Sequence, residues 1–130
     1  LLPYNKYHRE NLIRENIHPS KIFCTGNTTF EVMRAFQPMI NSSNILNKLS
    51  LSSKKYILVT AHRSENVDVK ENLNNIIQAM GMVAKKFKME VIYPMHPRTK
   101  SKLENIEIPG NIRIIKPLGF YDFNTNGKIW

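Results

Sequence analysis

Five residues of strand character, Tyr56, Ile57, Leu58, Val59 and Thr60, run without a break into a polar cluster of His62, Arg63, Ser64, Glu65 and Asn66. An apolar stripe at helical spacing follows. Leu73, Ile76, Ile77, Met80, Val83, Ala84 and Phe87 predict one amphipathic helix from about Val69 to Phe87. Asp68 stands where an N-cap belongs, and Glu71 three residues later fits the returning half of a capping box. Gly81 weakens the helix interior by roughly 1 kcal/mol relative to Ala, less than the stripe supplies. A second strand, Glu90–Tyr93, is ended by Pro94. Two strands joined through a helix of this length imply a parallel pair with a right-handed crossover. A short basic helix over Pro97–Ile106, a turn at Pro109-Gly110 and a third strand, Ile112–Ile115, complete the series. The pattern predicts an α/β fold with a parallel, Rossmann-like βαβαβ sheet.

Upstream of this unit the pattern is weaker. Tyr4–Asn16 reads as a polar helix with an apolar face through Tyr7, Leu12 and Ile13, ending before Pro19. Lys21–Thr25 reads as a short strand and Gly26-Asn27 as a turn into a helix that starts near Thr28 and ends near Pro38. Phe30, Met33 and Phe36 on that helix are expected in the core. From Met39 to Lys55 the composition shifts to Asn, Ser and Lys around one apolar patch, Ile45, Leu46 and Leu49. An exposed connector with a helical turn or two is expected there, and it is the natural domain boundary. No internal repeat or low-complexity tract is present.

The 130 residues have room for one modest domain with a real core. The first residue is Leu1 rather than Met, and Asn124–Trp130 stops without a closing element, so the chain is expected to be a piece of something longer. Nineteen Lys and Arg against ten Asp and Glu give a formal charge of +9, which favours anionic partners without choosing among phosphates, sugar nucleotides, nucleic acid and acidic lipid. The basic residues are spread along the chain, and each run reads equally as a solvated face. A single cysteine, Cys24, excludes an internal disulfide and a thiolate metal cage, which fits a reducing cytoplasm. No apolar run approaches the length of a membrane span, and Leu1–Glu10 is too polar for a signal peptide.

Three strands of one parallel sheet release their following loops at one edge, where open α/β sheets bind ligands. Those loops begin with His62-Arg63-Ser64-Glu65-Asn66, with Met95-His96-Pro97-Arg98 and with Pro117-Leu118-Gly119-Phe120. Arg can hold phosphate oxygens in a bidentate fork, and His can share a proton near neutral pH. The same residues have plainer readings. His62 fits a loop histidine bonded to a backbone carbonyl, and His96, before Pro97, fits a purely structural turn. His62, His96 and Cys24 lack ligand spacing on any one element, so no metal site is expected. Neither a Gly-x-Gly-x-x-Gly fingerprint nor a P-loop occurs.

Four segments, IFCTGNTTFEVM, ILVTAHRSENV, VIYPMHPRTK and IRIIKPLGFYDF, stand in an order and spacing that resembles the non-hydrolysing UDP-N-acetylglucosamine 2-epimerases, from about Asn11 to Phe123. The resemblance implies part of a glycosyltransferase-B-like two-domain fold with the nucleotide bound between Rossmann-like halves. Residues 1–37 would end the first domain, 38–55 would connect, 56–123 would open the second, UDP-binding domain, and 124–130 would be an atypical tail. It further implies interconversion of UDP-N-acetylglucosamine and UDP-N-acetylmannosamine by elimination and re-addition of UDP, for cell-surface polysaccharide synthesis. No cofactor or metal serves that chemistry, and the parent enzyme is expected to be a cytoplasmic homodimer.

Residue by residue, His62 matches the family's essential histidine beside the diphosphate. Leu118 and Phe123 match positions at the uridine end, and Arg63 and His96 match residues that hold a second, activating UDP-N-acetylglucosamine in some bacterial members. Ser64 replaces a usual Arg and Asp68 a usual Gly, and both changes weaken local anion binding. The family's proton-transfer carboxylates lie upstream of Leu1, and NTNGKIW stands where an Asp-Ser-Gly nucleotide loop is usual, so the isolated chain is expected to be inactive. Two other functions compete: the hydrolysing relative, which releases free N-acetylmannosamine, and a basic nucleic-acid-binding module. The second has no recognisable motif or aromatic ladder behind it.

Overall fold

The computed structural model describes residues 1–125. It divides into two compact units, Leu1–Ser42 and Ser43–Trp130, with the break inside the expected connector.

In the first unit, helix α1 (Lys6–Arg14) is capped by Asn5, whose side chain accepts the His8 N–H at 3.0 Å. The chain leaves it through Asn16 in the left-handed region, φ 61°. Lys21 does not open a strand. Pro19, with its fixed φ, starts a 3₁₀ turn over Pro19–Lys21. The extended residues behind it bond back to the chain start, Phe23 N–H to Leu1 O at 2.9 Å and Thr25 N–H to Pro3 O at 3.2 Å. Helix α2 (Thr28–Ala35) begins where expected because the Asn27 side chain accepts from the Thr29 and Phe30 amides. Its aromatics are not core: Phe30 is 60% and Phe36 38% exposed. The apolar face exists, but within Leu1–Ser42 no second layer covers it. Helix α3 (Gln37–Asn41) follows, with buried Ile40.

Helix α4 (Ile45–Lys48) opens the second unit, and Ile45 is buried. This segment is more firmly held than an exposed connector would be. Arg113 donates to Leu49 O at 2.9 Å and to the Glu90 carboxylate at 2.7 Å, and the Ser43 hydroxyl donates to Asp122 at 2.6 Å.

Strands β1 (Tyr56–Leu58), β2 (Glu90–Pro94) and β3 (Ile112–Ile115) form one sheet in the order β1-β2-β3, and both pairings are parallel. Strand β1 stops two residues short of the expected end, although the Val59 N–H still reaches Ile92 O at 3.0 Å. Val91, Ile92 and Tyr93 on the middle strand are fully buried. Val91, Tyr93 and Met95 alternate onto the face that packs with Leu73, Ile77, Met80 and Ala84, while Ile92 lies outside that cluster.

Those four helical residues belong to α6 (Lys70–Phe87), which a short helix, α5 (Ser64–Val67), precedes. The buried line runs through Leu73, Ile77, Met80 and Ala84. Ile76 and Val83 instead flank it and, with Ile57 and Val59, line an apolar cavity of about 350 Å³ beside β1. Phe87, expected in the stripe, is 57% exposed. The capping box does not form either. Val69 is the N-cap and makes no side-chain bond, because Asp68 closes α5 and spends its carboxylate elsewhere. After β2 come α7 (Pro97–Lys100) and a 3₁₀ turn at Ser101–Leu103. Helix α8 (Phe120–Thr125) follows β3.

Gly81 is explained by packing. A Cβ there would stand 2.7 Å from Pro109 Cγ and 3.0 Å from Pro109 Cβ, and the Asn111 side chain donates to Gly81 O at 3.1 Å. Gly81→Ala normally gains roughly 1 kcal/mol in a helix, whereas overpacking against a rigid ring costs about 1–3 kcal/mol. The substitution should therefore lower unfolding stability by about 1 kcal/mol in denaturant titration. A stabilised Gly81→Ala protein would contradict the close approach.

Candidate active site

Because the strands are parallel, the loops after β1, β2 and β3 leave from one edge. His62 of the first loop and His96 of the second line the same open cavity of about 320 Å³, together with Ser64, Asp68, Arg98 and Thr99. Arg63, Leu118 and Phe123 are not among its lining residues. Leu118 is half-buried in the turn between β3 and α8, and Phe123 is half-buried on α8, its N–H bonded to Gly119 O at 2.9 Å.

The two histidines differ in how they are held. His96 is the N-cap of α7: its Nδ1 accepts the Arg98 N–H at 3.2 Å, and Pro97 follows at the first helical turn. An Nδ1 that accepts carries no proton, so the proton of the neutral ring sits on Nε2. His96 thus has a structural role in this His-Pro turn, and Nε2 is left as a donor. His62 is exposed and lies 3.4 Å from the Thr60 hydroxyl through Nδ1. Arg63 is the N-cap residue of α5 and stands 4.0 Å from Glu65, an exposed pair of little energetic weight.

Asp68 decides the local electrostatics, through partners that nothing in its sequence surroundings pointed to. Its carboxylate receives Arg98 at 3.1 Å and is also hydrogen-bonded by Lys102. The partners lie 30 and 34 residues downstream, a pairing only the fold creates. The Lys102 hydrogen bond, with the charges of Lys102 and Arg98 behind it, holds the Asp68 carboxyl below the usual aspartate range. Arg98 at the cavity wall and Lys102 beside it are therefore both met by a carboxylate of the chain itself. Among the described residues no group of three His, Cys, Asp or Glu could hold a metal ion, and no helix is long and apolar enough to cross a membrane.

A parallel α/β sheet with its polar loops gathered on one edge puts the chain in the α/β class, as part of a glycosyltransferase-B-like fold. The family model described as UDP-N-acetylglucosamine 2-epimerase matches residues 1–127, and the chain belongs to that family. A UDP-N-acetylglucosamine 2-epimerase homolog of Methanococcus maripaludis is 39% identical over 120 residues, covering 86% of this chain and 32% of its own. The UDP-N-acetylglucosamine 2-epimerase of Methanocaldococcus jannaschii is 33% identical over 125 residues, covering 88% and 34%. The crystal structure of the latter organism's enzyme in complex with UDP-GlcNAc and UDP superposes with a TM-score of 0.81 at 31% identity, over 95% of this chain and 36% of that one. The Rickettsia bellii enzyme gives 0.77 at 31% identity, over 95% and 33%. The chain spans about a third of the length of these relatives.

A carboxyl whose folded pKa is lowered stabilises the fold above its unfolded pKa and loses that contribution as pH falls through the folded value. The stability difference between the wild type and Asp68→Asn should accordingly be present at neutral pH and vanish in acid below the ordinary aspartate range. Lys102→Met should move the Asp68 titration, followed by carboxyl NMR, upward toward the ordinary value. An unmoved midpoint would remove Lys102 as the cause.

Proposed function

We propose that the complete protein interconverts UDP-N-acetylglucosamine and UDP-N-acetylmannosamine, eliminating UDP and adding it back after proton transfer at C2. The observation that supports this most directly is the shared cavity of His62 and His96 at the ligand edge of a parallel sheet, in a chain of this family. A protonated imidazole at His62 would offset the charge that builds on departing UDP, and could pass a proton to it. The methyl and ring carbons of Leu118 and Phe123 suit contact with the uridine end. Arg63 and His96 Nε2 are donors suited to a second, activating sugar nucleotide.

On this reading residues 1–37 close one Rossmann-like domain, 38–55 connect, and 56–123 open the UDP-binding domain of a homodimeric cytoplasmic enzyme that feeds polysaccharide synthesis. The reaction draws on acid–base and electrostatic catalysis by side chains, with nothing asked of a cofactor. The hydrolysing reaction is the second reading, since the same elimination followed by water addition would use the same histidine.

In the complete protein, His62→Ala should lower turnover by about 10²–10⁴-fold. The melting temperature should be unchanged, because the ring is exposed and makes one marginal contact. Undiminished turnover would take His62 out of the mechanism. Chromatography of the products decides between the two reactions: UDP-N-acetylmannosamine supports epimerisation, and free N-acetylmannosamine with UDP supports hydrolysis.

A further inference from the structure

Tyr93 is the one fully buried residue of β2 with a polar atom on its side chain. Phenylalanine would fill the same apolar volume, so the hydroxyl calls for a reason of its own. It donates to Ala61 O at 2.8 Å, across 32 residues of sequence, and Ala61 is the residue immediately before His62.

That bond reaches a sensitive point. The Ala61 carbonyl and the His62 N–H belong to one planar peptide unit, so fixing the carbonyl also fixes the bond about which His62 turns. The His62 ring is exposed and, among the described residues, has only the Thr60 hydroxyl at 3.4 Å, a contact too long to orient it. Whatever precision the imidazole has must come from its backbone. Two residues earlier the Val59 N–H bonds Ile92 O, so adjacent residues of β2 pin the β1 loop at two successive points. The anchor is itself rigid: Tyr93 sits at zero exposure in the middle strand, packed with Val91, Met95, Leu73 and Ile77. A tyrosine hydroxyl is protonated at neutral pH in any case, and burial raises its pKa further, so it remains a donor. Three residues further along, the same strand delivers His96 to the cavity.

We propose that Tyr93 is a positioning residue for His62, its hydroxyl locking the Ala61–His62 peptide plane so that the imidazole meets the sugar nucleotide's diphosphate in one orientation. This rests on the reading of His62 given under Proposed function. A group held off its productive geometry loses rate before it loses affinity, since the substrate is held by many other contacts.

The test is Tyr93→Phe in the complete protein, beside Ile77→Val as a core substitution in the same cluster that leaves the Tyr93 hydroxyl and its Ala61 acceptor in place. Tyr93→Phe should lower kcat by about tenfold or more with KM within about twofold of the wild type. Ile77→Val, compared at the same loss of melting temperature, should leave kcat unchanged. An unchanged kcat in Tyr93→Phe, or an equal loss in Ile77→Val, would overturn the proposal while an inactive His62→Ala left the site reading intact. Full turnover in His62→Ala would overturn both together.

Discussion

The centre of the middle strand is closed off from water, and this constraint organises the second unit. Val91, Ile92 and Tyr93 have no exposure. Their backbone groups can be satisfied only if both neighbouring strands pair along their length, because a buried amide without a partner is costly. Strands β1 and β3 supply those partners, both in parallel. Parallel pairing in turn requires a crossover, and α6 makes it while covering the Val91 and Tyr93 face with Leu73, Ile77, Met80 and Ala84. The three polar loops emerge at one edge as a consequence. The site is thus a by-product of how the core is closed.

At that edge the charge is balanced from within. Arg98, which lines the histidine cavity, and Lys102 both engage Asp68. Surface pairs of this kind hold little stability, so they can give way to an incoming anion at small cost. Asp68 places a carboxylate on both cations.

The first unit obeys the same physics with the opposite result. Helix α2 has an apolar face, yet Phe30, Val32 and Phe36 remain exposed. Patterning tells which face of a helix seeks cover, and not what supplies the cover. Gly81 shows the converse. Its cost to the helix is visible in the sequence, while its reason, the Pro109 ring at 2.7 Å from a would-be Cβ, comes from a residue 28 positions away.

Local pattern by itself determined the three strands, the long helix between the first two, their parallel arrangement, and the edge at which His62 and His96 meet. Each of these follows from short-range periodicity and the geometry of a crossover, both written in contiguous residues. The four spaced segments also carried the family. Tertiary structure alone decided that Asp68 serves Arg98 and Lys102 rather than capping α6, that α5 interrupts the approach to the long helix, and that Lys21 belongs to a turn. It likewise decided that Tyr93 reaches Ala61 across the sheet. These depend on partners about 30 residues apart or on competition between nearly equal local choices, and no reading of neighbouring residues contains that distance.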